Sequence, residues 1–179
     1  MFFVKLALSL SLDIANQKDN DMNDKTQKSI KRLSVAIIII GGLALFYTYV
    51  KMVSQLFLNN FITPMTWNPE IRGWQIFILA TYYVGVTLLF VLCCIFLYRT
   101  NRGLKNGEIF PKSNIPVIRW AALAVALYAF ANCNYEEVVK GESVLMVDSS
   151  TILFPLIVLL FAGLYKMAHL AAEDSNLAI

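Results

Sequence analysis

Four long apolar runs constrain the fold of this chain more than any other feature. They are Leu33–Val50, Trp74–Tyr98, Ile115–Cys133 and Thr151–Ala171. At about 1.5 Å per residue, each run crosses a hydrocarbon core of about 30 Å once tilt and flanking residues are included. The chain is therefore predicted to be an all-α membrane protein, with four transmembrane helices in an antiparallel bundle.

Composition supports the same class. Of 179 residues, 58% are hydrophobic and only 15% are charged, which leaves too little polar surface for a soluble domain. The net charge of +3 is not a nucleic-acid signal, because the cationic residues flank the apolar runs, where they favour anionic headgroups. The sequence thus predicts a lipid bilayer as partner and no direct nucleic-acid binding.

Charge in the connecting segments alternates and predicts the orientation. Basic residues cluster shortly before the first run and between the second and third: Lys18, Lys25, Lys28, Lys31, Arg32, Arg99, Arg102, Lys105 and Lys112. The segment 51–73 has only two basic residues, and the segment 134–150 holds four acidic residues against Lys140. By the positive-inside rule, both termini and the middle loop lie in the cytoplasm.

The predicted domain organisation has three parts. Residues 1–32 form a cytoplasmic N-terminal segment, 33–172 form the transmembrane domain, and 173–179 form a cytoplasmic tail. Within the domain, the four spans cover about 33–57, 74–98, 115–133 and 151–171. Translation is predicted to start at Met22, so that residues 1–21 are an upstream extension with little order; a short interfacial helix is the alternative.

The sequence offers no catalytic, metal or cofactor site. No span carries an ionisable residue near its midplane, where proton- or ion-coupled transporters place one. His169 is the only histidine, which leaves a histidine-based metal site unsupported, and Ser149 and Ser150 have no histidine on their side of the membrane. The three cysteines are interpreted as packing residues. A protein without enzymatic activity is expected.

Two helices carry polar or small residues that bear on packing and binding. The most polar patch in any run is formed by Thr81, Tyr82, Tyr83, Gly85 and Thr87 of the second run, and Tyr128 lies in the third run. Such hydroxyls usually bond neighbouring helices or their own backbone, but a tyrosine-lined groove for a small amphiphile is the sharper alternative. The alanines of the third run predict a central helix; whether the protein forms a homo-oligomer is left open.

The cytoplasmic surface contains a second group of candidates. Asn106 and Gly107 predict a tight turn. Ile109 and Phe110 give the loop apolar side chains that are expected to pack against the helix ends. The candidate docking residues are Asn106, Gly107, Glu108, Ile109, Phe110, Asn114, Arg119, Glu173 and Asp174. In the alternative interpretation these residues only seal the bundle, with Phe110 packed and Arg119 paired to lipid phosphate or to Glu173.

These same stretches resemble the domain of unknown function 2975 family of small bacterial four-span membrane proteins. The matching residues are the run from Asn106 to Phe110, with Asn114 and Arg119 after it, and the closing stretch Leu170–Ile179. The resemblance covers the four-span layout from about Lys28 onward. The chain departs from the family's Leu-Thr-Ile ending, because Ala178 replaces the hydroxyl residue.

The resemblance implies a location and a partner. It implies the bacterial cytoplasmic (inner) membrane, with N-in/C-in topology in keeping with the loop charges. Members of the family are often encoded beside a small helix-turn-helix regulator, and no enzymatic activity is established for them. The leading hypothesis is therefore a membrane-embedded regulatory partner that docks such a regulator at its cytoplasmic face. The alternative is a small-molecule or lipid binding or transport subunit.

Overall fold

The computed structural model describes the backbone of residues 2–57 and 65–177, and the side chains of residues 25–55 and 65–174. Its long helices are α1 (Phe2–Phe57), α2 (Arg72–Lys105), α3 (Asn114–Lys140) and α4 (Ser149–Leu177). A short 3₁₀ helix, Pro69–Ile71, precedes α2. All regular structure in these described residues is helical, as the apolar runs predicted.

Each long helix contains a stretch that is long and apolar enough to cross a membrane. Within the described residues these stretches are Lys25–Gln55, Pro69–Lys105, Asn114–Lys140 and Ser149–Asp174. The predicted fold class is confirmed, and the chain is a multi-pass membrane protein. The domain limits, the start at Met22 and the orientation of the termini stay predictions; the side chains of residues 1–24 and 175–179 lie outside the described set.

The chain divides into two compact units, Met1–Ile37 and Ile38–Ile179. The first unit is the amino-terminal part of α1, where the Ser34 hydroxyl donates to the Ile30 carbonyl oxygen over 2.8 Å. Such a bond to the preceding turn satisfies a polar side chain without a partner from another helix. The rest of the fold lies in the second unit.

Within the second unit, α3 packs against α2 on one side and α4 on the other. Gly85 of α2 fits against the backbone of Tyr128, because a Cβ at Gly85 would lie 3.1 Å from the Tyr128 Cα. On the other face, Ala162 and Tyr165 of α4 pack with Ile115 and Ile118 of α3. Among the four membrane-spanning stretches, the one in α3 is the most deeply buried, in agreement with the alanines that predicted its central place.

The helix α3 is longer than the apolar run that predicted it. The run ends at Cys133, but the helix continues to Lys140. In the sequence, the polar residue Asn134 marks the end of the third apolar run. Beyond it, Tyr135, Val138 and Val139 keep the helical spacing of buried residues and pack in the core. Glu136 and Glu137 are therefore helical residues rather than part of the acidic loop.

The second unit has two ends that differ in charge. We call the end with residues 99–113 and the last turns of α4 the basic end, since Arg99, Arg102, Lys105 and Lys112 lie there. We call the opposite end, with Glu136, Glu137, Glu142 and Asp148, the acidic end. At the acidic end, residues Met65–Asn68 form a segment, here called the strap, that crosses the end of α3.

The end of α2 is closed by a Schellman motif. Gly107 has a φ of +79°, its N–H donates to the Leu104 carbonyl, and the N–H of Glu108 donates to the Gly103 carbonyl over 2.9 Å. Gly103 itself lies against Pro111, since a Cβ at position 103 would come within 2.2 Å of the proline ring. Two glycines thus fix the path of the loop at the basic end.

At the acidic end, Gln75 ties the strap to α3. This fully buried side chain donates from Nε2 to the carbonyls of Thr66 and Val138, and its Oε1 accepts from the Asn68 N–H. The Thr66 N–H also donates to the Val139 carbonyl over 3.0 Å. The bonds reach backbone groups near the ends of α3 and α2, where helices leave such groups without intrahelical partners, and they hold the strap over the end of α3.

The start of α4 is capped by Asp148. Its Oδ1 accepts from the backbone N–H groups of Ser150 and Thr151, at 2.8 and 3.1 Å, and from the Ser150 hydroxyl. Hydrogen bonding from the Ser150 hydroxyl is the main cause that holds the pKa of the Asp148 carboxyl below its ordinary value. The loop before the cap is held by Asn134, which exchanges hydrogen bonds with the Met146 backbone.

Candidate functional site

A cavity of about 530 Å³ lies between α1 and α2, under the strap. The helices α1 and α2 approach closely at Gly41, where a Cβ would lie 3.1 Å from the Phe90 ring. The lining residues are Tyr49, Met52, Gln55, Met65, Trp67, Ile76, Leu79, Ala80, Tyr83, Val84, Thr87 and Leu88. Most of this surface is hydrocarbon.

A short chain of hydroxyl groups interrupts the hydrocarbon lining. Thr87 donates from Oγ1 to the Tyr83 carbonyl over 2.7 Å, and the Tyr49 hydroxyl lies 2.7 Å from the same Oγ1. These bonds link α1 to α2 across the cavity. The Tyr49 hydroxyl oxygen is thus a polar atom in an otherwise apolar lining.

A second chain leads from the cavity into the core. The Tyr83 hydroxyl lies 3.3 Å from the Tyr135 hydroxyl, which donates to Gln55 Oε1 over 2.5 Å. Tyr83 and Gln55 line the cavity, whereas Tyr135 is buried on α3. Three helices therefore meet through one line of hydrogen bonds beside the cavity.

The size and the lining of the cavity indicate which kind of ligand it suits. Its volume lies in the range of about 300–1,000 Å³ that is typical of small-molecule sites, and such sites combine apolar walls with a few placed polar groups. An amphiphile with a small head group and a hydrocarbon tail matches both properties. The cavity holds no cluster of ionisable groups that would favour a charged ligand.

The structure brings only part of the predicted tyrosine groove to this cavity. Tyr83 and Thr87 line it. Tyr82 and Tyr128 instead contact each other between α2 and α3, with ring centroids 5.5 Å apart. Tyr82 and Tyr83 are neighbours on a helix and so point about 100° apart, which sends them to different faces.

Sequence reasoning missed the residues that complete the cavity. Tyr49, Met52 and Gln55 come from α1, and Met65 and Trp67 come from the strap. The spacing of 49, 52 and 55 along one face of α1 was a usable signal, because residues three apart lie on the same side of a helix. The strap residues had no such signal, since their position depends on Gln75.

A cleft of about 330 Å³ lies at the basic end. It is lined by Gly107, Glu108, Ile109, Phe110, His169, Ala172 and Glu173. The loop after α2 forms one wall and the last turns of α4 form the other. Phe110 anchors the loop, because its ring packs edge-on against Tyr165 with centroids 5.5 Å apart.

His169 joins the two walls of the cleft. Its Nδ1 lies 2.9 Å from the Phe110 carbonyl oxygen, which can only accept, so Nδ1 carries the proton that is donated. The other ring nitrogen faces the Glu173 carboxylate at 3.8 Å. Sequence analysis considered His169 only as a lone histidine without a metal, yet the spacing of 169 and 173 on one helix face pointed to this pair.

The remaining docking candidates fall into two groups. Asn114 does not reach the surface: it is fully buried, and its Nδ2 donates to the hydroxyl oxygens of Thr100 and Tyr165. Its part in the fold is to join α2, α3 and α4. Asn106, Arg119 and Asp174 are exposed but do not line the cleft.

Comparison of the chain with known protein families, curated proteins and solved structures finds no match. The resemblance described from the sequence therefore stays a prediction. Metal sites were also sought: in the part of the chain that the structure describes, no three His, Cys, Asp or Glu residues lie close enough to hold an ion. The cavity and the cleft are the candidate functional sites.

Proposed function

We propose that this multi-pass membrane protein binds a small amphiphile, a lipid or a lipid-like molecule, in the cavity between α1 and α2, without enzymatic activity. The observation that carries the proposal is an apolar cavity of about 530 Å³ with hydroxyl groups of Tyr49 and Tyr83 on its wall. Apolar space that stays unfilled destabilises a fold by about 24 cal/mol per Å³. In a bilayer, acyl chains are the nearest molecules able to fill it.

Filling the cavity with a larger side chain tests this proposal. The test uses the full chain in nanodiscs of phosphatidylcholine, with 1-dodecanol that carries a photoactivatable diazirine on its tail. We expect labelling of the lining residues, mapped by mass spectrometry, and a fall of about tenfold in Ala80→Trp, since the indole takes the ligand's space. Val91→Trp is the matched control, because Val91 is an exposed α2 residue outside the cavity.

The same experiment defines the result that would contradict the proposal. Labelling that is unchanged in Ala80→Trp, or that spreads evenly over the exposed apolar face of α4, would show ordinary contact with bilayer lipid. A loss in Ala80→Trp together with a loss in Val91→Trp would point to misfolding instead. Only a loss confined to Ala80→Trp supports the cavity.

A second candidate function rests on the cleft at the basic end. We propose that this end faces the cytoplasm of a bacterium, with both termini inside, and that the cleft docks a small helix-turn-helix regulator. The supporting observation is that a loop and a helix end, distant in sequence, form one concave surface with Phe110 and His169 at its centre. The basic residues around it fit the cytoplasmic side of an inner membrane.

Co-purification with the product of the adjacent gene tests the docking proposal. Binding to the wild type is expected, with a loss of at least tenfold in Phe110→Ala, because the loop then loses its anchor on Tyr165. Lys112→Ala, an exposed change in the same loop outside the cleft, is the control. Binding retained in Phe110→Ala, or reaction of a cysteine at Glu108 with an impermeant maleimide on intact cells, would contradict it.

A further inference from the structure

We infer that the cavity between α1 and α2 selects an amphiphile whose head group donates a hydrogen bond, a hydroxyl being the simplest. The inference rests on the proposed amphiphile binding and adds the chemistry of the head group. It follows from the direction of each hydrogen bond at the two phenols that line the cavity. A hydroxyl has one proton, and each of these protons is already used.

The first phenol is Tyr49. Thr87 spends its proton on the Tyr83 carbonyl, an oxygen that can only accept, over 2.7 Å. The Tyr49 hydroxyl lies 2.7 Å from the same Thr87 oxygen, so Tyr49 must be the donor in that pair. The Tyr49 oxygen is left with lone pairs and without a proton for a ligand.

The second phenol is Tyr83, and the same counting applies. The Tyr135 hydroxyl donates to Gln55 Oε1, an amide oxygen that can only accept. With the Tyr135 proton used there, Tyr83 is the donor across the 3.3 Å to Tyr135. The Tyr83 oxygen therefore also offers only lone pairs.

Both phenols thus act as acceptors toward anything bound in the cavity. Their rings lie side by side, with centroids 5.9 Å apart. A ligand hydroxyl or amine meets a complementary partner there. An ether or ketone places lone pairs against lone pairs, and a carboxylate adds charge to a site without a counter-charge, which is unfavourable in an apolar environment.

Two lining residues carry donors that oppose this preference: the amide of Gln55, a residue that is only 5% exposed, and the indole of Trp67. The indole N–H of Trp67 is a donor, and it would serve a ligand that accepts. However, the Trp67 side of the cavity is the exposed side: Trp67 is 43% exposed, and the Arg72 guanidinium lies 5.6 Å from its ring centroid. Of the two acceptors, Tyr49 is 38% exposed but Tyr83 is only 8% exposed. The Tyr83 oxygen is thus more shielded than the Trp67 indole, and hydrogen bonds discriminate most where water is excluded.

The test compares two ligands with the same dodecyl chain, of which the alcohol has a hydroxyl proton and the ether has a methyl group in its place. In nanodiscs of phosphatidylcholine, 1-dodecanol and dodecyl methyl ether compete with the photoactivatable alcohol for the wild-type protein. We expect the alcohol to compete at about a tenfold lower concentration than the ether. This ratio should fall toward one in Tyr83→Phe, which removes one acceptor.

The Tyr49 acceptor needs a double change. Tyr49→Phe alone would uncover the Thr87 oxygen as a new acceptor, so it is combined with Thr87→Val. This double variant should also lose most of the preference for the alcohol. Tyr47→Phe with Thr48→Val is the matched control: the two residues are neighbours on α1 outside the cavity, Tyr47 is exposed, and Thr48 donates to the Ala44 carbonyl of its own helix.

The outcomes separate this inference from the function on which it rests. Competition by neither compound, with no labelling of the cavity, would overturn amphiphile binding itself. Equal competition by alcohol and ether would leave that function standing and overturn the head-group preference. Stronger competition by the ether would do the same and would assign recognition to a donor, the Gln55 amide or the Trp67 indole. A preference that the control variant also loses would exclude the two phenols as its cause.

Discussion

Replacing Gly103 with alanine is expected to lower the free energy of unfolding by about 1–3 kcal/mol, the usual cost of forcing atoms into a packed site. The added Cβ would lie 2.2 Å from Cγ of Pro111 and 3.1 Å from the Glu108 carbonyl oxygen. A proline ring cannot rotate away, so the loop itself must move. Because the Gly103 carbonyl also accepts from Asn106 and Glu108, the whole turn shifts.

Unfolding in mixed detergent micelles with increasing SDS measures this change. Gly163→Ala is the matched control: it is also a helical glycine, but nothing lies within 4 Å of its Cβ position. That variant should be neutral or gain up to about 1 kcal/mol, since alanine favours a helix over glycine. Equal stability of the two variants would show that Gly103 does not pack against Pro111 as described.

Replacing Gln75 with leucine should lower the free energy of unfolding by about 2–4 kcal/mol, although the two side chains have similar size. The change leaves the Thr66 carbonyl without its 2.8 Å donor and the Asn68 N–H without its acceptor. The Val138 carbonyl retains a bond from Gly141. Two polar groups beside the core thus lose their partners.

The same substitution should reduce amphiphile labelling as well. Met65 and Trp67 of the strap line the cavity, and Gln75 holds the strap in place. Thr81→Val serves as the control, because Thr81 also lies on α2 but donates only to the Phe77 carbonyl of its own helix. A stable Gln75→Leu protein with normal labelling would mean that other contacts suffice to hold the strap.

The helices were predictable because a bilayer imposes simple rules on sequence. Apolar length located four spans without any knowledge of packing, whereas the orientation inferred from loop charge stays a prediction. Helix ends were less predictable: α3 continues past Asn134 to Lys140, because Asn134 pairs with the Met146 backbone inside the fold. A polar residue near the end of an apolar run indicates a helix end only when water, and not another chain segment, supplies the hydrogen-bond partners of its side chain.

The residues that line the candidate sites were predictable only where a single short stretch of sequence was distinctive. The loop from Gly107 to Phe110 was recognised, and so was Glu173, because each lies in a distinctive local stretch. His169, Tyr49 and Gln55 were missed, since their roles depend on neighbours from other helices. Asn114 was assigned to the surface, although three helices bury it. Contacts across helices need the tertiary structure.

The length of α2 has a consequence for access to the cleft. Its 34 residues span about 51 Å, whereas a hydrocarbon core is about 30 Å thick, and even a tilt of about 40° accommodates only about 39 Å. The excess of about 12 Å is close to the length of the charged last turns, Arg99–Lys105, which span about 10 Å. We therefore expect these turns, and the cleft beside them, to lie in the headgroup layer, where a soluble protein reaches them without entering the hydrocarbon core.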